Sequence, residues 1–413
     1  MTKANVHYIL IQSLYWMTYC TVSGYVSSFL RAVGFVDSSI GILVAVVGIS
    51  SSLLQALLAG WIDLSGRRLL KPAAVSFLLL AIGVSGMLLL FPAMPVGLQG
   101  ISFAVIMCSL QVTQPLVNTM SVCARERVSF STARAIASLA FAGLSFLIGQ
   151  LLAGFGVAVL SIARMGFGLV LLFCILTFPV RITHQQAMKK RQKNSGFFRR
   201  NKGFAVLMLG SLLAYFSHVL MNYYNYQIVL SKGGDNASLG IMLFLAAMVE
   251  VPVMLFYPRL QRLAVSGFWF VFSGFGFAVK AAAFLLAPDL TVFYAAQISQ
   301  MFGWAMISVA SVAYVREVTR EEDTTRGQAY ITLTYTGAMV LGSLSGGFLL
   351  QYQGVAMLLL TALVTAVLSG FVLLTGVRRI GSGVRGSRSP EDRYGISDRN
   401  EKSPAADPAS YWK

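Results

Sequence analysis

The sequence predicts an all-α membrane protein of twelve transmembrane helices in two six-helix pseudo-repeats, and three observations carry that prediction. Hydrophobic residues make up 56% of the 413 residues and charged residues only 11%, against roughly 25% charged in a soluble domain. Apolar stretches of about 20 residues recur from end to end, each long enough to cross a hydrocarbon core of ~30 Å. Short motifs of the first half also return in the second.

Taken in order, the apolar stretches place spans at 6–30, 38–60, 72–93, 97–121, 132–155, 157–179, 203–229, 238–258, 266–287, 291–315, 328–350 and 355–377. Pro92, Pro95, Gly233, Gly234 and Pro288 punctuate the turns between them. The first stretch holds Gln12, Tyr15, Trp16 and Tyr19 and has no small-residue cleavage site, so it reads as a span and not as a removed signal.

The formal net charge of +17 invites a nucleic-acid reading, and its distribution argues against one. If the N-terminus and every second loop face one side, that side receives 28 of the 32 Lys and Arg residues. Arg31 and Lys232 fall on the other side, and Arg164 and Lys280 fall inside spans. Positive loops stay cytoplasmic. The expectation is an inner (plasma) membrane protein with both termini cytoplasmic, lipid around it and no nucleic-acid partner.

The span pattern divides the chain into a bundle over 1–179, a basic cytoplasmic linker over 180–202, a second bundle over 203–377 and a tail over 378–413. The linker carries eight basic residues and no acidic one, which reads first as a solvated connection and otherwise as a contact with anionic lipid headgroups. The tail is rich in Gly, Ser, Arg and Pro without apolar periodicity and reads as disordered. Cys20, Cys108, Cys123 and Cys174 lie in or beside apolar stretches without a CxxC pair, so they read as small buried thiols.

The repeat is visible in particular residues. Ser39-Ile40-Gly41-Ile42 opens the second span and Ser238-Leu239-Gly240-Ile241 opens the eighth. Gly143, Gly149 and Gly154 in span five match Gly337, Gly342 and Gly347 in span eleven, each set preceded by an arginine, Arg134 or Arg326. Small residues let helices approach closely in lipid, and six-span halves in parallel repeat are one architecture of secondary transporters.

Asp63-Leu64-Ser65-Gly66-Arg67-Arg68 after span two resembles the loop signature of the major facilitator superfamily. Gln114-Pro115-Leu116-Val117-Asn118, Arg134-Ala135-Ile136-Ala137-Ser138, Glu250-Val251-Pro252-Val253 and Arg326-Gly327-Gln328-Ala329-Tyr330 are similar to stretches of its subgroup of lactose permease, phenylpropionate permease and nucleoside–proton symporters. The resemblance covers about residues 6–377. It implies two bundles around a central cavity, and a cytoplasmic gating loop of Asp63, Gly66, Arg67 and Arg68. By the same resemblance, Lys280 stands where the lactose permease has a coupling arginine, and Arg134 matches its sugar-binding arginine. Its coupling histidine and glutamate meet Gln300 and Gly303, and its sugar-binding carboxylate meets Asn118, so galactoside recognition by that mechanism is not expected.

Ionisable groups at mid-bilayer cost about 2.5–3.5 kcal/mol on insertion scales, so they mark function by default. Of fifteen acidic residues only Glu250 lies deep in a span, two residues before Pro252. It is the expected proton- or substrate-binding carboxylate, with Lys280 as a switching partner or a permanent structural mate. Span seven is polar and aromatic, and His218, Asn222 and Tyr223 are expected to line a path for a flat or hydroxylated solute; Tyr15, Trp16 and Trp304 are lesser candidates. No catalytic group, cofactor or metal site is read: His7, His184 and His218 are far apart, and the acidic run Glu321-Glu322-Asp323 sits beside basic residues. The expected function is proton-coupled transport of a small polar organic solute, a sugar, nucleoside or related metabolite, by a monomer. The alternative is an exporter of amphipathic drugs or metabolites.

Overall fold

In hydrocarbon every backbone N–H and C=O must be satisfied inside the chain, and the apolar stretches accordingly fold as helices. The computed structural model describes residues 2–65, 68–124, 126, 128–180 and 196–387. Among them the first half comprises α1 (Lys3–Ser23), α2 (Val26–Ala32), α3 (Asp37–Leu64), α4 (Leu70–Leu90), α5 (Val96–Val122), α6 (Phe130–Phe155) and α7 (Ala158–Thr177). After a short α8 (Phe197–Arg200), the second half comprises α9 (Phe204–Tyr223), α10 (Asn225–Ser231), α11 (Asn236–Leu263) and α12 (Ser266–Leu286). It ends with α13 (Leu290–Ala296), a 3-10 turn (Gln297–Met301), α14 (Trp304–Val318) and α15 (Glu321–Ser387).

Ten helical segments among the described residues are long and apolar enough to cross a membrane. One of them, Arg326–Ile380, has 55 residues, about 80 Å at ~1.5 Å per residue, and turns back at Gly354, whose φ is 80°. It supplies two crossings. The α1–α2 pair, made less apolar by Gln12, Thr18 and Thr21 facing the core, supplies another, consistent with twelve. The chain is a multi-pass membrane protein whose outer surface is studded with exposed Leu57, Phe155, Phe173 and Leu286.

Spans one and seven, expected as single helices, are each broken near one end. The α1–α2 break falls at Gly24–Tyr25 and the α9–α10 break at Tyr224. Each tyrosine ties its break to a neighbouring helix: Tyr25 donates to the Ser145 carbonyl of α6 at 2.5 Å, and Tyr224 donates to the Ser343 carbonyl of α15. The two devices are one device repeated.

The halves meet through two equivalent crossings, α6 on α11 and α3 on α15. Gly149 and Gly240 touch backbone to backbone in the first; a Cβ on Gly149 would stand 2.7 Å from the Gly240 Cα. In the second, Gly41 abuts the Ser343 carbonyl and Gly347 abuts Asp37 and Ser38. The structural partner of Gly149 is therefore Gly347, and the sequence pairing of Gly149 with Gly342 is out of register. Gly342 packs instead on Val219 within the second half, and Gly143 and Gly154 have open space where a Cβ would go.

Both crossings lie toward the end of the bundle that holds Arg31, Asp37, Lys232 and Asp235. The other end is strongly basic, with Lys3, Lys71, Arg200, Arg259, Arg262, Arg316 and Arg320 among its described residues. Among the described residues, four hydrogen bonds join the halves near the less basic face. Ser27 donates to the Tyr223 carbonyl, Ser28 to Asn236 Oδ1 at 2.5 Å, Ser38 N–H to Gln351 at 3.2 Å, and Gln227 to Asp37 at 2.8 Å.

At the basic face α8 packs Phe197 against Phe204 and Tyr330, and Arg200 forks onto Asp323 at 2.8 and 2.9 Å. Asp323, read from sequence as part of a lone acidic run, is 1% exposed. The Arg200 guanidinium holds its carboxyl below the usual carboxylate range. α15 runs on through Ser387 instead of ending at 377, and Ile380 of this extension packs under Gly203. Of the expected linker, 181–195 lie outside the described residues, as do 388–413 of the expected tail. Gly66, Arg67 and the side chain of Asp63 also lie outside them, so the expected gating loop falls largely there.

Candidate functional site

A cavity of about 430 Å³ lies between the halves, on the basic side of the two glycine crossings. Helices α1, α3, α5 and α6 of the first half and α9, α11, α14 and α15 of the second line it, together with the 3-10 turn.

Three local features of the second half place its charged groups. Pro252 inside α11 has no N–H, so the Met248 carbonyl loses its helical partner and the helix is loosened beside Glu250. The span expected at 291–315 is interrupted by the 3-10 turn, a feature that marks hinges and functional sites. Gly276 of α12 lets that turn approach, since a Cβ there would strike the Phe302 carbonyl. The turn thereby sets Gln300 between two helices. Its Nε2 donates to Glu250 at 2.9 Å, and its Oε1 accepts from Lys280 at 2.5 Å.

No direct ion pair joins Glu250 to Lys280 among the described residues. The amide holds the two charges apart and satisfies one group on each. Lys280 is 3% exposed and also sits 5.0 Å from the Phe284 ring.

Aromatic faces form the rest of the walls. His218 stacks on Trp304 with centroids 4.2 Å apart and planes 11° from parallel. Tyr335 packs on Trp304 at 5.7 Å. Across the cavity, Arg134 lies 3.8 Å from the Trp16 ring centroid and donates to Ser138 at 3.2 Å. Arg134 and Glu250 are within electrostatic reach of each other across the gap between the halves. Two buried polar atoms of the lining, Trp16 Nε1 and His218 Nδ1, have no protein partner among the described residues. A ligand with acceptors and a flat face would meet both π-walls and these free groups.

The MFS_1 like family model matches residues 8–361. The chain belongs to that family. No curated protein matches this MFS_1 like chain by sequence. Among solved structures it is similar to the nucleoside transporter NupG, at TM-score 0.74 and 15% identity, covering 92% of this chain and 99% of that one. It is also similar to a bacterial homologue of the iron transporter ferroportin in its inward-facing state, at TM-score 0.68 and 14% identity, covering 92% and 100%. At such identities these likenesses show the major facilitator fold.

Within the MFS_1 like chain, six of the eight residues singled out from sequence line the cavity: Glu250, Arg134, His218, Asn222, Tyr223 and Gln300. Lys280 stands behind Gln300. Asn118 is off the cavity lining, where it accepts from Gln12 at 3.0 Å while Gln12 also donates to Tyr8. Sequence reasoning passed over Ser51, Gln55, Gln111 and Tyr335. Ser51 donates to Gln111 Oε1 at 2.6 Å, and Gln55 to the Gln111 carbonyl at 3.0 Å. The signal that could have found them is Gln111 and Gln114 one turn apart in an apolar span, facing Ser51 and Gln55, also one turn apart.

Proposed function

We propose that the protein is a secondary transporter that carries a small, flat, polar organic solute through the central cavity by alternating access, coupled to a proton on Glu250. The single observation that carries this reading is the Glu250–Gln300–Lys280 bridge on the cavity wall. A deep carboxylate held near, but not on, a cation can exist charged or neutral at modest cost, because a protonated Glu250 still offers its carbonyl oxygen to Gln300 Nε2 while Gln300 Oε1 keeps the Lys280 ammonium.

Coupling follows from the geometry. Charged Glu250 draws on Gln300 and on Arg134 across the gap, while protonated Glu250 no longer attracts Arg134. Loading with proton and solute therefore changes the force between the halves, and differential interaction of that kind is what shifts a two-state equilibrium. The basic face is read as cytoplasmic by the positive-inside rule, which gives a multi-pass inner-membrane protein with both termini inside. With the halves joined at the other face, the cavity then belongs to a state facing inward. In the opposite state, Asp63, Gly66, Arg67 and Arg68 latch the cytoplasmic side.

A nucleoside suits the cavity. Its base is flat enough to lie on the Trp304–His218 stack, and its hydroxyls match Asn222, Gln111 and Gln55. The nucleoside transporter among the similar folds supports the same class. The test is uptake of labelled nucleosides and sugars by proteoliposomes under an imposed pH gradient. Wild type should accumulate solute only with the gradient, and Glu250→Gln should exchange solute but not accumulate it. Gradient-driven accumulation by Glu250→Gln equal to wild type would remove Glu250 from coupling. Uptake confined to lipophilic cations would turn the reading to an exporter of amphipathic compounds.

A further inference from the structure

We propose that Arg164 is the centre of a second binding site, separate from the transport cavity, for a small monovalent anion of the chloride type. Arg164 is fully buried, at 0% exposure, among α1, α4, α5 and α7. Its Nε donates to Thr21 Oγ1 at 3.2 Å and its Nη1 to Ser85 Oγ at 3.4 Å. The Phe103 ring lies 5.7 Å from its Cζ. Its Nη2 is buried with no partner among the described residues.

The guanidinium cannot shed its proton in a protein, and no carboxylate among the described residues answers it. None of the three ion pairs among the described residues includes Arg164. Glu250 stands in the other half. The hydroxyls help only as dipoles, because both have committed their own protons: Thr21 donates to the Thr18 carbonyl at 2.7 Å and Ser85 to the Ala81 carbonyl at 2.6 Å. They offer Arg164 lone pairs and leave its unit charge in place. A buried charge without a counter-charge is strongly unfavourable, and a bound anion supplies what the described residues do not.

The unused donors select the kind of anion. A carboxylate or phosphate binds an arginine through two parallel N–H bonds and brings a bulky polar group with it, whereas here two of the five N–H groups are already taken and the rest of the guanidinium is fully buried. The free Nη2 edge suits a single spherical acceptor, with apolar Phe103 beside it. The group lies nearer the less basic face: Arg164 is six residues into α7 from Ala158, ~9 Å of helix, and Phe103 is seven residues into α5 from Val96, ~10 Å. Neither Arg164, Thr21 nor Ser85 lines the transport cavity.

The experiment is thermal unfolding of the purified full-length protein in sodium chloride, bromide or gluconate at constant ionic strength, for wild type, Arg164→Gln and Thr21→Val. Chloride and bromide should raise the wild-type midpoint saturably, by a few degrees at about 100 times the dissociation constant. Arg164→Gln should show no halide effect. Thr21→Val, which strips one acceptor from the cation, should show a larger one. A wild-type midpoint equal in chloride and gluconate overturns the proposal, as does an undiminished halide shift in Arg164→Gln. If Arg164→Gln does not fold, crystals grown in bromide decide: an anomalous peak beside Nη2 supports the site, and no peak there overturns it.

Discussion

Gln300 donates its side-chain N–H to Glu250 across 2.9 Å while its carbonyl oxygen takes the Lys280 ammonium at 2.5 Å. One amide therefore reads the charge of two helices. It sits on a 3-10 turn that interrupts the span between α13 and α14, where backbone hydrogen bonding is weaker than in α-helix. A bridging group on a soft segment can follow either helix when the halves move. That combination is what the proposed coupling role of the bridge requires.

Gln300→Leu should break coupling without unfolding the protein. Leucine keeps the bulk but leaves the ammonium of Lys280 and one oxygen of Glu250 without their bridge, and a hydrogen bond to a charged group is worth about 1.5–3 kcal/mol. Gradient-driven accumulation should fall at least tenfold, a loss of about 1.4 kcal/mol in free energy, while the protein still elutes as a single species from size exclusion. Normal accumulation would make the bridge structural only.

Much of this was legible in the sequence for a simple reason. Charge is so costly in hydrocarbon that Glu250 and Lys280 announced themselves, and apolar length alone counted the crossings. Gln300 was reached only through the resemblance, as the residue that meets the permease's coupling histidine, and its part in joining the two charges depends on a helix break that hydropathy does not encode. Register failed for a related reason. Span eleven carries glycines that pack within its own half, such as Gly342 on Val219, as well as the one at the crossing, so spacing matched Gly149 to Gly342, whereas the tyrosine bonds Tyr25–Ser145 and Tyr224–Ser343 make Gly347 its equivalent. Asp323 was hidden because its partner Arg200 lies 123 residues away.

Gly149→Leu should pry the halves apart at the less basic face. Its Cβ would already meet the Gly240 Cα at 2.7 Å and the Asn236 carbonyl at 2.7 Å, and backbone cannot give way as a side chain can. A cysteine placed at Ser28, buried at that junction, should react with a membrane-impermeant maleimide several times faster in the Gly149→Leu background than in wild type. Gly143→Ala, which enters open space, is the control and should leave labelling unchanged. Equal labelling in all three proteins would mean that this crossing does not close the face.

The Arg200–Asp323 fork should give a pH-dependent contribution to stability. Arg200 depresses the folded-state value of the Asp323 carboxyl, and the unfolded value is about 3.9. Stabilisation is therefore complete above about pH 4 and is lost as pH falls through the depressed folded value. Asp323→Asn should lower the unfolding midpoint by a few degrees at pH 7, and the gap to wild type should be unchanged at pH 5.5. It should narrow only below about pH 4. A gap that instead closes between pH 7 and 5.5 would assign the titration to another group.

Gln297→Leu should stabilise the protein, which is unusual for a change in a fully buried position. Gln297 is 0% exposed, and neither its Oε1 nor its Nε2 has a hydrogen-bond partner among the described residues. A buried polar group left unpaired costs about 1–3 kcal/mol, and leucine of similar size removes that cost while keeping the packing between α11 and α12. In a 3-10 turn residues three apart share a face, so Gln297 lies on the same side as Gln300 and an ordered water there would join it to the bridge. The two cases separate cleanly. A midpoint raised by a few degrees with transport retained means the amide was an uncompensated burial. A lowered midpoint means that Gln297 is held by water in the same polar network as Glu250, Gln300 and Lys280.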